Sequence, residues 1–250
     1  MRKLRVVYFK RSHIITALCL IASFIILIFC FVYQEMFPVK TFSDPQSGII
    51  VIDPGHGGID GGTVKGGILE KEINLDIGRK LKSLLEKRGF TIIMTREKDI
   101  SLEQKVDSNK SRHVRDLNAR TDIINNSNAQ LFVSIHVNCN LKKPSTDGAI
   151  VFYNLKFEQN KTLAFFVQRS LNSLEINGRR RTVHDPVQAR YYVLANSNIP
   201  GVLVETAFIS NRVERQELAK EVFRENTANA IVHGIEQYLR ESTRVSSPGR

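Results

Sequence analysis

The chain has 250 residues, 42% of them hydrophobic and 24% charged, with a net charge of +11 and three cysteines. Such a composition excludes a disordered chain, and so few thiols exclude a disulfide-built scaffold. The basic excess does not read as a nucleic-acid surface, because no aromatic-basic RNP pattern and no cysteine–histidine finger accompanies it.

Arg2, Lys3, Arg5, Lys10 and Arg11 make residues 1–13 a basic segment. Residues 14–33 carry no charge and are long enough to cross a bilayer as a helix, which takes about 20 residues. The positive-inside rule then predicts a single-pass anchor, with its N-terminus in the cytoplasm and everything after Gln34 outside. The rival is a cleaved signal peptide. Its apolar core would be shorter and followed by small residues, whereas this run ends in Phe29-Cys30-Phe31-Val32-Tyr33. Cys19 and Cys30 lie within the span, so Cys139 is left alone beyond it and no internal disulfide is expected. Residues 34–47, with Pro38, Asp44, Pro45 and Ser47, read as a linker. Five of the 36 basic residues precede the span, leaving 31 against 25 acidic ones, a modest excess that suits an anionic polymer or membrane surface.

Residues 48–241 are enough for one domain with a sizeable core. Short apolar runs alternate with helical patterns, which predicts an α/β fold: a single three-layer domain with a mostly parallel, twisted sheet flanked by helices. Strands are expected at Ile49–Asp53, Thr91–Thr95, Leu131–His136, Ala149–Tyr153, Tyr191–Leu194 and Val202–Thr206. Helices are expected at Glu70–Arg88, Val114–Asn126, Glu158–Asn177 and Glu214–Leu239, the last with a break near Lys220. The polar stretch Glu97–Arg112 reads as a loop over the site. Residues 242–250 read as a flexible tail.

Two predicted strands end on histidines. Val51-Ile52-Asp53-Pro54-Gly55-His56-Gly57-Gly58 runs into a glycine-rich turn, and Leu131-Phe132-Val133-Ser134-Ile135 leads to His136. In an open α/β sheet, ligands bind at the carboxyl ends of parallel strands. Taken singly, His56 is also explained by a tight turn and His136 by a hydrogen-bonded core position. Gly55-His56-Gly57 resembles the start of a G-x-G-x-x-G phosphate loop, but Asp60 stands at the third glycine position. At 100° per residue, Glu70 shares a helical face with Ile73, Ile77, Leu81 and Leu84, while Glu72 points away. A carboxylate there also complements the helix dipole without any metal. Together, His56, Glu70 and His136 form a three-ligand set with an open position, the pattern of a catalytic zinc and of metal-assisted hydrolysis.

Glu205 interrupts the apolar run Gly201-Val202-Leu203-Val204, and an unpaired buried charge there is expensive. It is either one half of a buried ion pair, for example with Arg120, or a general base beside the metal. Of the other histidines, His13 precedes the span, His113 lies in a basic stretch and His233 on a C-terminal helix. His184, in Val183-His184-Asp185-Pro186, remains open as a substrate-facing loop residue.

Four stretches, Asp53–Gly58, Glu70-Lys71 with Asn74-Leu75, Ser134–Asn138 and Val204–Asn211, resemble the zinc-dependent N-acetylmuramoyl-L-alanine amidase family in order and spacing. The likeness runs from about Ile49 to Leu239. It implies a zinc on His56, Glu70 and His136, with Glu205 as the catalytic carboxylate. It also implies cleavage of the amide between the lactyl group of N-acetylmuramic acid and L-alanine of the peptidoglycan stem. Asn138 and Arg120 are placed by it as contacts to glycan or stem peptide.

The layout of one amino-terminal span, a bare catalytic domain and no wall-binding repeats is similar to the sporulation and germination-type members. Ser111-Arg112-His113, Asp116-Leu117 and Arg120 fit that group. The implied task is stripping peptides from spore cortex, ahead of a deacetylase that forms muramic δ-lactam, with an activating protein as a further expected partner. Ala207 departs from the glycine many relatives carry. A zinc peptidase cutting within the stem remains a rival, as does a membrane-anchored peptidoglycan-binding or regulatory protein with weak or partner-dependent activity.

Overall fold

The computed structural model describes Leu20, Ser23, Phe24 and residues 48–106, 109–176 and 178–246. The chain divides into two units, Met1–Pro45 and Gln46–Arg250, and the second carries the fold described below. Apart from those three residues, the expected basic segment, anchor and linker lie outside the described residues. Among the described residues no helix is long and apolar enough to cross a membrane.

In chain order the elements are β1 (Ile49–Pro54), β2 (Val64–Lys65), β3 (Ile68–Leu69), α1 (Glu70–Glu86), β4 (Thr91–Met94), α2 (Arg112–Asn125) and β5 (Leu131–Asn138). There follow β6 (Ile150–Tyr153), α3 (Glu158–Asn172), β7 (Glu175–Ile176), β8 (Arg179–Arg180), β9 (Val187–Gln188), α4 (Tyr192–Asn196), β10 (Gly201–Phe208), α5 (Arg212–Leu218) and α6 (Glu221–Ser246). The main sheet runs β4-β1-β5-β10-β6-β9, parallel at every pairing except β10 with β6.

The central strands are apolar on both faces because both faces are covered. With a side-chain period of two, Ile50, Ile52, Val133, Ile135, Val202 and Val204 face α1, α3 and α6. Val51, Phe132 and Leu203 face the other way, onto Ile124 of α2 and Val193 and Leu194 of α4. The expected α/β sandwich of a mostly parallel sheet between helices is therefore present.

Several local expectations need correction. Tyr191–Leu194 is helical in its last three residues, not a strand; a four-residue apolar run is too short to carry a period. The helix expected from Val114 starts at Arg112, because the Ser111 hydroxyl caps it by accepting from Val114 N. The helix expected to reach Asn177 stops at Asn172 and gives way to the small β7–β8 hairpin. The last helix breaks at Lys220 as expected, but its second half continues to Ser246, through part of the segment read as a loose tail. Gly89, at φ +89°, ends α1 in the left-handed conformation that glycine adopts without penalty.

α3 and α6 pack closely at Gly234, where an added Cβ would stand 2.5 Å from Val167 Cα. Gly234→Ala should therefore lower stability by about 1–3 kcal/mol, the usual cost of overpacking. Urea unfolding measures it; a gain of about 1 kcal/mol, as at an exposed helical glycine, would show that the helices can part.

Candidate metal centre and its cleft

β1, β5 and β10 lie side by side and parallel, so their carboxyl ends open on one edge. Glu205 of β10 stands level with His136 of β5, and Pro54 of β1 with Ile135. His56 follows β1 directly, and Glu70 opens α1. Four residues that the sequence singled out thus meet at one edge.

The loop after β1 is held from behind. His56 sits at φ +62°, a left-handed conformation uncommon for a non-glycine residue and worth about 1–3 kcal/mol of strain. Two buried arginines fasten its backbone. Arg120 donates to Pro54 O at 2.8 Å and to His56 O at 2.6 Å. Arg96 donates to Pro54 O and Gly55 O, both at 2.9 Å. Lys71 bridges Gly58 O and the Asp99 carboxylate, each at 2.7 Å. Through Asp99, the stretch expected to cover the site braces this loop, and its Ser101 and Arg112 line a pocket beside His56 and Asp60. The loop also demands small residues: a Cβ at Gly55 would lie 2.2 Å from the His136 ring, and one at Gly62 would lie 2.7 Å from Glu70 Oε2.

Asp53 anchors the whole arrangement. It is 1% exposed and accepts from Arg120 Nη1 (2.7 Å), Thr95 Oγ1 (2.6 Å) and Ser134 Oγ (2.7 Å). Burial alone would raise its pKa; Arg120 and the two hydroxyls outweigh that and hold it below the ordinary carboxylate value. Arg120 also binds Asp116 at 2.6 Å, so it is not the partner of Glu205.

The donor atoms of His56, Glu70 and His136 all lie within 4.8 Å of one another. Glu70 Oε1 stands 3.2 Å from His56 Nε2 and 3.1 Å from His136 Nδ1. Two donors about 2.1 Å from one ion in tetrahedral geometry are about 3.4 Å apart, so the set fits a small tetrahedral cation. The surroundings fit as well. Asp60 Oδ2 takes the other nitrogen of His56 at 2.8 Å, the carboxylate–histidine pairing that orients a ligating imidazole. Thr63 N (2.9 Å) and Val137 N (3.2 Å) donate to Glu70 and fix its carboxylate. Glu72 is exposed, as its helical angle required.

Electrostatics separate the two carboxylates. Burial would raise Glu70, but hydrogen bonds and charge from His136 and His56 outweigh it and hold it far below the usual range. Burial likewise opposes a charge on His56, yet Glu70 and then Asp60 push the imidazole up to about 9. Glu205 goes the other way: burial, abetted by the charge of Glu70, pushes it up to about 7 against the pull of the histidines. Its Oε2 is buried without a hydrogen-bond partner among the described residues.

A cleft of about 640 Å³ opens over these groups, lined also by His113, Leu117, Asn138, Tyr191 and Tyr192. Asn138 is on its wall, with Oδ1 accepting from Cys139 N at 2.8 Å. Arg120 is on its floor with four hydrogen bonds already made inside the protein. His184 is not a cleft residue; its Nε2 lies 2.8 Å from Asp147 O. Asp53, Asp60, Arg96 and Tyr191 were missed as site residues by sequence reasoning. Only Asp53 carried a signal, since it is a carboxylate in an apolar strand like Glu205.

Residues 50–237 match the N-acetylmuramoyl-L-alanine amidase family. The germination-specific N-acetylmuramoyl-L-alanine amidase of Bacillus subtilis (strain 168) is 37% identical over 230 residues, 90% of this chain and 94% of its own length. Among solved structures, the CwlD amidase from Clostridioides difficile, determined in complex with the GerS lipoprotein, superposes with a TM-score of 0.68 at 37% identity. It covers 78% of this chain and 100% of its own. The amidase AmiC2 of Nostoc punctiforme gives 0.65 at 34% identity, covering 78% and 99%.

If the set binds a metal, Asp60→Asn should lower its affinity about 10- to 100-fold while leaving the far-UV circular dichroism unchanged, because it weakens the support of His56 and not the core. Competition with a chelating dye reads it; unaltered affinity would show that Asp60 plays no part in orienting the ligand.

Proposed function

The chain belongs to the N-acetylmuramoyl-L-alanine amidase family, and we propose that it cleaves the lactyl–L-alanine amide of peptidoglycan with Glu205 as general base beside a zinc on His56, Glu70 and His136. The observation that carries this reading is the placement of Glu205. It is level with His136 on the neighbouring strand, and one of its oxygens is buried without a hydrogen-bond partner among the described residues. With a pKa pushed up to about 7, its carboxylate is matched to taking a proton near neutral pH and returning it to the leaving nitrogen.

A zinc bound there supplies Lewis acidity toward the scissile carbonyl and acidifies water at the site. The chain's own residues do the rest. Asp60 leaves His56 Nε2 turned to the cleft, and the backbone N–H groups of Thr63 and Val137 hold the Glu70 carboxylate in place. Asn138 lines the cleft together with Tyr191 and His113, which supports a contact between it and glycan or stem peptide. Arg120, expected to do so as well, serves first as the strut of the His56 loop and has one guanidinium N–H left for substrate.

The finer assignments extend this reading. Likeness to the germination-specific amidase supports spore cortex as the substrate, ahead of a deacetylase that forms muramic δ-lactam. The complex of the Clostridioides difficile relative with a lipoprotein supports a protein partner of that kind. The uncharged run at 14–33 supports a single-pass anchor, with the catalytic domain on the outer side of the membrane.

Digestion of purified peptidoglycan should release stem peptides beginning with a free L-alanine amino terminus, read by mass spectrometry; cleavage within the stem would instead make the protein a peptidase. Glu205→Gln should keep zinc and lose activity by about 10²- to 10⁴-fold, whereas His136→Ala loses both. For wild type, kcat/KM should fall as pH drops through a value at or below about 7, because the base works only when deprotonated and a bound cation draws its pKa down. That acid limb should vanish in Glu205→Gln.

A further inference from the structure

β10 contains an irregularity immediately after Glu205. Between the pairs Glu205–His136 and Phe208–Asn138, β10 advances three residues while β5 advances two. The slip shows in the packing: Val202 and Val204 face the helical layer before it, and Ala207 and Ile209 face the same layer after it. One extra residue has reversed the alternation, as a β-bulge does. Glu205 is the last residue in the regular phase, turned to the cleft side. Ala207 lies in the bulge at 0% exposure without a positive φ.

A bulge leaves backbone groups without their ladder partners. Here two buried side chains take them. Arg181 Nη1 donates to Thr206 O at 3.0 Å, and Phe208 N donates to Glu214 Oε2 at 2.6 Å. The two side chains bind each other at 3.1 Å, at 5% and 1% exposure. Glu214 Oε1 also accepts Gly148 N (2.9 Å), just before β6, and Arg181 Nη2 reaches Leu171 O (3.3 Å) at the end of α3. The Arg181 guanidinium lies 5.5 Å from the centre of the Phe223 ring. On the other side the Thr206 hydroxyl donates to His136 O at 3.1 Å, which ties the bulge to the strand bearing a candidate ligand. An ion pair this deep costs desolvation that attraction seldom fully returns, so bare stability does not account for it.

We propose that Arg181 and Glu214 are positioning residues for the reaction: their buried pair caps the backbone of the bulge and thereby fixes the direction of Glu205. This rests on the reading of Glu205 as general base. A displacement of about 1 Å at a reacting group costs about 10²-fold in rate, and the bulge sits next to that group.

The test uses the full chain, with zinc content, thermal unfolding, and kcat and KM on soluble muramoyl-peptide fragments measured on each variant. Arg181→Lys and Glu214→Gln should keep zinc and KM, lose kcat by about 10- to 100-fold, and shift the acid limb of the pH profile. The double variant Arg181→Met with Glu214→Leu leaves no buried charge unpaired and serves where a single one does not fold. It should show the same loss, because neither side chain can bind Thr206 O or Phe208 N. Placed in a Glu205→Gln background, the substitutions should cost nothing further. Unchanged kcat in any folded, zinc-loaded variant overturns the proposal, as does an equal further loss in the Glu205→Gln background. Full turnover by Glu205→Gln alone overturns the assignment of the base, and this proposal with it; a silent pair of strap variants beside an inactive Glu205→Gln overturns the proposal alone.

Discussion

The ion pair between Asp53 and Arg120 is the contact on which the site depends. Asp53 joins β1 to Thr95 beyond β4, to Ser134 on β5 and to Arg120 on α2, so one carboxylate ties three strands and a helix together. Arg120 passes that order on by holding Pro54 O and His56 O, and so keeps His56 in a backbone conformation it would otherwise leave. Removing one partner of such a buried pair typically costs about 3–5 kcal/mol, because the other charge stays behind unpaired. The site is thus a consequence of how the sheet edge is tied, with little contributed by the loop's own preferences.

Two carboxylates on the same cleft are driven in opposite directions by what surrounds them. Glu70 is desolvated but receives two imidazoles and two backbone N–H groups, and stays ionised. Glu205 is desolvated, and the pull of the two histidines offsets that only in part, so its pKa rises to about 7. Divergent environments of this kind sort titratable groups into ligand and base on one small surface. In the proposed role the orientation of Glu205 matters, and its Oε2 has no hydrogen-bond partner among the described residues to fix it; this is where the bulge and its ion pair enter.

Metal and proton compete for the same atoms. On the proposed ligand set, His56, raised to about 9 by Glu70 and Asp60, would have to give up its proton before ligating, so occupancy of the site would fall as pH falls. The cleft of about 640 Å³ is walled by Tyr191, Tyr192 and Asn138, and it lies along the carboxyl edge of the sheet. That form suits a chain-like substrate better than an engulfed small molecule.

What the sequence determined by itself was chemical type and sheet placement. Short apolar runs located β1, β5 and β10, and the histidines and glutamate at their ends marked His56, His136 and Glu205 without any structure. Helical angle alone separated Glu70 from Glu72. Those signals are local, since each is carried by residues a turn or a strand apart. The tertiary structure decided everything that depends on distant pairing. Arg120 meets Asp53 across 67 positions and Arg181 meets Glu214 across 33, and no local pattern announces either. The left-handed His56, the phase reversal after Glu205 and the helical Tyr192–Asn196 exist only because neighbouring strands and buried ion pairs impose them. Local sequence specifies which groups are expensive to bury; only the packed fold specifies which partner relieves each one, and at what distance.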